Sequence, residues 1–240
     1  MAKRKVGYFF YNTFLALAAL ILAPIIIYRI LVNLQLFSAS FNKLSGVLKP
    51  VIWVHAASER QIPVAADILQ ELTAAFSGYQ PVITYSGINA ASIGQSVKPD
   101  QLFIPLPCPV ELCSKKISHL KPHLLLMIED CFYPNLIRHC KASGVKLALI
   151  YGKVDNRLIK ISCLAPNFLR MAFNQIDLLM MGSVTEANQV GKLGAPLSAI
   201  VVSEAVGFRD ADLKGQTELS DNGSVKQGVC IIGTLLGRHL

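Results

Sequence analysis

Val51-Ile-Trp-Val-His-Ala-Ala-Ser-Glu-Arg-Gln61, with the segment Ile62 to Phe76 behind it, is the stretch from which the fold can be read. Val51 to His55 is a short apolar run that ends on polar residues, and Ile62 to Phe76 carries apolar side chains at helical spacing. Strand, loop and helix form one unit, and the alternation recurs downstream. Pro81 to Tyr85 is strand-like and closes on Ser86-Gly87. Leu102 to Pro105 leads into the turn Pro105-Leu-Pro-Cys-Pro109, and Val110 to Leu120 has helical spacing. His123 to Ile128 is continuously apolar after His123, as a strand covered on both faces should be. Leu136 to Ala142 predicts a short helix stopped by Gly144, and Val145 to Ile150 another buried strand. A helix from Phe168 to about Gln175, a strand at Ile176 to Met181, a helix at Thr185 to Leu193 ending at Gly194 and a strand at Ser198 to Val202 complete the series. This order predicts an α/β fold, a single doubly wound domain with a mostly parallel sheet and helices on both faces.

Ligands of such sheets gather beyond the carboxyl ends of the strands. The stretches to weigh are therefore His55 to Gln61, Thr84 to Gly87, Glu129 to Asn135 and Tyr151 to Arg157. Glu59, Glu129, Asp130 and Asp155 are the acids there that suit proton transfer. Ser58 is open to two readings, a ligand-binding hydroxyl or a cap for the next helix, with Glu59 favouring that helix's positive end. Ser86 and Gly87 read most simply as a turn. Neither GxGxxG nor GxxxxGK[ST] occurs, so no dinucleotide or ATP loop is indicated and no cofactor is expected.

The uncharged run from Val6 to Tyr28 follows Lys3, Arg4 and Lys5 and precedes Arg29. As one helix it would extend about 34 Å, enough to cross a hydrocarbon core of about 30 Å, and it reads as a membrane anchor. Basic residues on both sides leave two orientations open, a simple span or a tilted helix with both flanks on the cytoplasmic leaflet. The net charge of +8 suits either nucleic acid or an anionic membrane. Without a dense basic stripe interleaved with aromatics, membrane lipid is the expected partner and nucleic acid is not. The six cysteines form no CxxC pair and the histidines supply no zinc pattern, so free thiols and no metal are expected.

Ile52-Trp-Val-His-Ala-Ala-Ser58, Thr84 to Gly94, Phe103-Ile-Pro-Leu-Pro107, Lys121-Pro122, Met127-Ile-Glu-Asp-Cys-Phe-Tyr-Pro-Asn-Leu-Ile137 and Asp177 to Ala195 carry a resemblance in unbroken order. Through them the chain resembles the N-terminal half of bacterial 3-deoxy-D-manno-octulosonic acid (Kdo) transferase, which adds Kdo to lipid A precursors at the inner membrane. That resemblance implies a Rossmann-like domain of the GT-B glycosyltransferase N-terminal type that faces a lipid acceptor, with a second domain carrying most of the nucleotide-sugar site. It also implies the cytoplasmic side of the inner membrane.

The departures from the family pattern fall on its chemistry. Where the family has its proposed general base, a Glu, this chain has Gln61, and an amide takes no proton at neutral pH. Loss of a positioned base typically costs about 100- to 10,000-fold. Glu129 matches a family Glu, whereas a second Glu is replaced by Cys131 and a Trp by Tyr133; Pro134 and Asn135 match. The domain plan expected is an anchor and juxtamembrane segment at 1–49, the Rossmann-like domain at 50–212, and a polar linker with the start of a second domain at 213–240. The favoured function is a membrane-anchored accessory subunit, inactive alone, that binds a second protein subunit or a glycolipid. The alternative is a diverged glycosyltransferase, or one subunit of an enzyme complex that processes lipid-linked sugars. Ser58, Ser86, Gly87, Glu129 and Asn135 are the ligand-binding candidates. Glu59 and Glu129 are the catalytic ones if the chain is active.

Overall fold

The computed structural model describes residues 2–25, 27–28, 49–85, 102–105, 110–111, 114, 122–129 and 132–202. The linker and second-domain expectations at 213–240, the turn at Ser86-Gly87, and Asp130 and Cys131 lie outside these residues.

Its centre is a seven-stranded sheet: β1 (Val51–Ala56), β2 (Gln80–Tyr85), β3 (Leu102–Pro105), β4 (Leu124–Ile128), β5 (Lys146–Gly152), β6 (Leu178–Met181) and β7 (Ile200–Val202). All neighbouring strands run parallel, in the order β3-β2-β1-β4-β5-β6-β7. β1 and β4 are buried at every residue, which explains why they read as apolar runs without alternation.

Helices cover both faces. On one side α2 (Ile62–Ala75) places Ala65, Ile68, Leu69 and Leu72 against Ile52, Val54, Leu124 and Leu126. On the other, α3 (Pro134–Ala142), α4 (Asn156–Leu164), α5 (Pro166–Phe173) and α6 (Val184–Lys192) cover Trp53, Leu125, Leu147 and Leu179. Gly144, at φ 80°, follows the end of α3 in the left-handed region that glycine enters without cost. The doubly wound reading therefore holds, with strand boundaries close to those expected. The sequence reading did not include α4. Its start is marked by Asp155, whose carboxylate accepts the Leu158 N–H at 2.9 Å, and it ends just before Pro166.

The expectation of a membrane helix ahead of this domain is overturned: among the described residues no helix is long and apolar enough to cross a membrane. Helix α1 (Ala2–Ile21) contains Lys3, Arg4 and Lys5 within its own length, carries Asn12 and Thr13 at its middle, and ends before the apolar run does. Its first half is also engaged elsewhere. Tyr8 is buried, packs edge-on to Phe168 of α5 and donates to the Pro134 carbonyl. Phe9, Phe10, Phe14 and Leu17 remain exposed on its other side. The membrane-anchored accessory role and the inner-membrane location, which both required that anchor, are not supported.

Candidate functional site

The strand order reverses between β1 and β4. The chain fills one side of the sheet through β2 and β3, then returns to build the other from β4 onward. At such a switch point the loops leaving two adjacent strands diverge and open a crevice, the usual ligand position of an open α/β sheet. The loop after β1 is Ala57 to Gln61, Glu129 directly follows β4, and Lys153 directly follows β5.

These three loops meet through side chains. Gln61, only 3% exposed, accepts the Ala57 N–H on Oε1 at 2.7 Å and donates from Nε2 to Glu129 Oε2 at 2.8 Å. The other carboxylate oxygen of Glu129 accepts from Lys153 Nζ at 2.9 Å. The Ala57 N–H can only donate, so it fixes which end of the Gln61 amide faces Glu129. Glu129 must accept at both oxygens.

Two strained residues aim this assembly. Glu129 (φ 56°) and Tyr151 (φ 52°) both occupy the left-handed region, where a side chain other than glycine costs about 1–3 kcal/mol. Backbone bonds on each side compensate: Glu129 N–H donates to Ile150 O at 2.8 Å, and Lys153 N–H donates to Glu129 O at 3.3 Å. Glu186, in the first turn of α6, accepts the Val154 N–H at 2.7 Å and ties the same loop to a further helix.

The other candidates are placed as follows. Glu59 lies in a 3-10 turn, Glu59–Gln61, that leads into α2. Ser58 does not cap that helix. Its carbonyl accepts the Gln61 N–H at 3.1 Å, while its Oγ is buried and has no hydrogen-bond partner among the described residues. His55 sits deeper, fully buried, with Nδ1 at 2.8 Å from Thr84 Oγ1 and its ring edge-on to Tyr133. Burial pushes its imidazole down to about 3, so it stays neutral and is no proton acceptor at neutral pH. Trp53 Nε1 donates to the same Thr84 hydroxyl at 2.7 Å. Asp155 is occupied as the cap of α4 and by Arg157.

Asn135 is separate from this crevice. Its Nδ2 donates to Asn12 of α1 at 2.8 Å, and its backbone N–H donates to Glu111 at 3.0 Å. Glu111 was missed in the sequence, although a lone acid after Pro109-Val110 in an apolar segment was the available signal. Its carboxylate supplies the start of α3 with the acceptor that Tyr133, the residue before the helix, does not, and it also receives Tyr11 Oη at 2.8 Å. Burial outweighs these hydrogen bonds and pushes the Glu111 carboxyl up to about 7; burial likewise raises the Tyr11 phenol. Two polar assemblies therefore flank Tyr133, one of sheet loops and one that seats α1. Among the described residues no group of His, Cys, Asp and Glu is placed to hold a metal.

Curated proteins and solved structures can be set beside this geometry. The Kdo transferase of Chlamydia pneumoniae is 22% identical over 78% of this chain and 45% of its own length. That of Chlamydia trachomatis serovar D is 25% identical over 71% of this chain and 42% of its own. The chain thus spans less than half the length of the curated relatives it matches. A candidate UDP-N-acetylglucosamine 2-epimerase from Listeria monocytogenes superposes with a TM-score of 0.47, at 11% identity over 65% of this chain and 44% of that one. The profile described as 3-deoxy-D-manno-octulosonic-acid transferase (kdotransferase) matches residues 34–208. That match takes in β1 to β7 and every loop of the crevice, well over half of the 240 residues, and it makes the chain a member of the 3-deoxy-D-manno-octulosonic-acid transferase family.

Proposed function

We propose that this chain is the acceptor-side domain of a diverged glycosyltransferase acting on a lipid-linked sugar, with the acceptor hydroxyl received at the crevice between β1 and β4. The observation that carries the reading is the Gln61–Glu129 hydrogen bond across that crevice, because a buried polar contact between loops of two strands builds a defined site where the topology already opens one. Family membership supports the reaction class. The curated relatives are transferases more than twice as long as the matched stretch, so the donor-binding wall belongs, in this proposal, to a second domain or a partner subunit.

Position 61 sets how far the chemistry has diverged. A carboxylate there would face Glu129 at about 3 Å, and two such groups share one proton, as like charges at that distance do. Gln61 offers an N–H where a protonated carboxyl would offer its O–H, and keeps the hydrogen bond without the proton. It stabilises the crevice and supplies no base. His55 does not replace it, because burial lowers the affinity of its imidazole for a proton. This domain therefore binds and orients the acceptor, and proton removal falls to Glu129, to the partner domain or to solvent.

Titration of the full chain with a lipid A-type disaccharide precursor in detergent micelles tests the reading. Saturable binding above empty micelles, weakened by Glu129→Leu but not by Lys192→Ala in the last turn of α6, is the expected result. Binding equal to that of empty micelles, or indifferent to Glu129→Leu, overturns it.

A further inference from the structure

Lys153 is held twice to the same residue. Its backbone N–H reaches the Glu129 carbonyl at 3.3 Å and its ammonium reaches Glu129 Oε1 at 2.9 Å, although half of its side chain is open to water. An exposed lysine ordinarily keeps its freedom, since an ion pair in high dielectric scarcely repays the loss of rotamers. Here the carboxylate it meets is buried, left-handed in backbone and bonded through its second oxygen to Gln61.

The donors converge on one carboxylate. Lys153 donates to Glu129, Gln61 donates to Glu129, and Ala57 donates to Gln61. Lys153 pins the shared acceptor, so without it the Glu129 carboxylate is free to turn and the Gln61 amide that holds the Ala57 N–H loses its fixed neighbour. The chain ends on the loop of Ser58, whose Oγ is buried and lacks a hydrogen-bond partner among the described residues. Buried hydroxyls are ordinarily satisfied by protein, water or ligand, and a hydroxyl left over beside a switch-point crevice suits a polyhydroxylated ligand.

We infer that Lys153 is a positioning residue for the acceptor site: through Glu129 and Gln61 it fixes the loop that presents Ser58 Oγ to a hydroxyl of the sugar. The assignment rests on the proposed reading for the identity of the ligand, whereas the hydrogen-bond chain is independent of it. Lys153 touches no ligand in this scheme. Its charge and an N–H within reach of Glu129 Oε1 matter, and arginine keeps the charge and supplies such a donor on a longer side chain.

Amide hydrogen exchange and glycolipid titration on the full-length chain test this together, using Lys153→Met, Lys153→Arg and Ser58→Ala. In Lys153→Met the Ala57 amide should exchange at least about tenfold faster while Val54, deep in β1, stays as protected as before. The same variant should bind the lipid A-type disaccharide about tenfold more weakly, the scale of one lost hydrogen bond, and Lys153→Arg should restore both properties. Ser58→Ala should weaken binding to a similar degree without changing exchange at Ala57.

Unchanged exchange at Ala57 in Lys153→Met overturns the inference. Equal acceleration at Ala57 and Val54 also overturns it, because that marks general destabilisation. So does faster Ala57 exchange with undiminished binding, or failure of Lys153→Arg to rescue. If the wild-type chain binds no disaccharide although Ala57 exchange responds as expected, the acceptor reading fails while the Lys153 chain stands.

Discussion

Glu129 and Glu111 are carboxylates of almost equal burial, 8% and 9% exposed, yet the fold holds them in different ways. Glu129 receives an ammonium on one oxygen and an amide on the other. Glu111 receives a phenol and the first N–H groups of α3, and its carboxyl rises to about 7 because burial exceeds what those donors and the nearby Arg138 charge return. Equal burial thus goes with different donors and different places in the fold. The cation-held group joins three loops at the carboxyl ends of the strands, where a ligand would meet them. The neutral-held group joins α1 to α3 and serves architecture.

Glu129→Leu should produce the largest effect. It removes the acceptor for Gln61 and Lys153 together, for a loss of about 2–4 kcal/mol in denaturant unfolding. A loss below about 0.5 kcal/mol would mean that the crevice network is slack and that the two carboxylates differ less than their partners suggest.

The pH dependence of stability sharpens the other half of the comparison. Glu111 has an ordinary value of 4.5 and a folded value of about 7, so between these pH values the folded chain keeps a proton that the unfolded chain has released. Its contribution is therefore full below about 4.5 and declines as pH rises to about 7, by up to about 3 kcal/mol in total. Denaturation midpoints across that window should fall with pH. Glu111→Gln should flatten the slope, and an unchanged slope in that variant would assign the effect to other groups.

Smaller effects should follow along the α1 seam. Tyr11→Phe removes the hydroxyl that donates to Glu111 but keeps the ring stacked on Phe168, so about 1 kcal/mol should be lost and α1 should be cut faster by protease. Asn12→Ala should cost less, about 0.5–1 kcal/mol, because only the Asn135 side-chain amide loses its partner. Greater sensitivity for Asn12 than for Tyr11 would place the strength of the seam in Asn135 and not in Glu111.

The fold was legible where local pattern and burial coincide. The apolar runs at β4 and β5 read as buried strands and the shorter run at β1 as a strand before a loop, and α2 and α3 announced themselves by spacing, α3 also by its terminal glycine. Helix α4 was missed because its outward side carries Arg157 and Lys160 and only Leu158 is buried, which leaves little periodicity to read. The crevice was half legible: its loops followed from topology, and Gln61 and Glu129 stood out against the family pattern. Lys153 lay inside a stretch marked for attention but not singled out, since its role depends on a contact 24 positions back along the chain.

What the sequence by itself determined is the class of the domain, because side-chain burial on a parallel sheet imposes a pattern that composition and spacing reveal directly. It also determined the family and the chemical identity of position 61. Tertiary structure alone decided what the polar groups do. The run from Val6 to Tyr28 reads as a span only while its tyrosines have nowhere else to go. Once Phe168, Glu111 and Pro134 are in place, Tyr8 and Tyr11 pack against the domain. Apolar burial is nearly independent of direction and can be inferred from a list of residues, whereas a hydrogen bond requires a particular partner at a particular distance, and only the folded chain brings Ala57, Gln61, Glu129 and Lys153 within it.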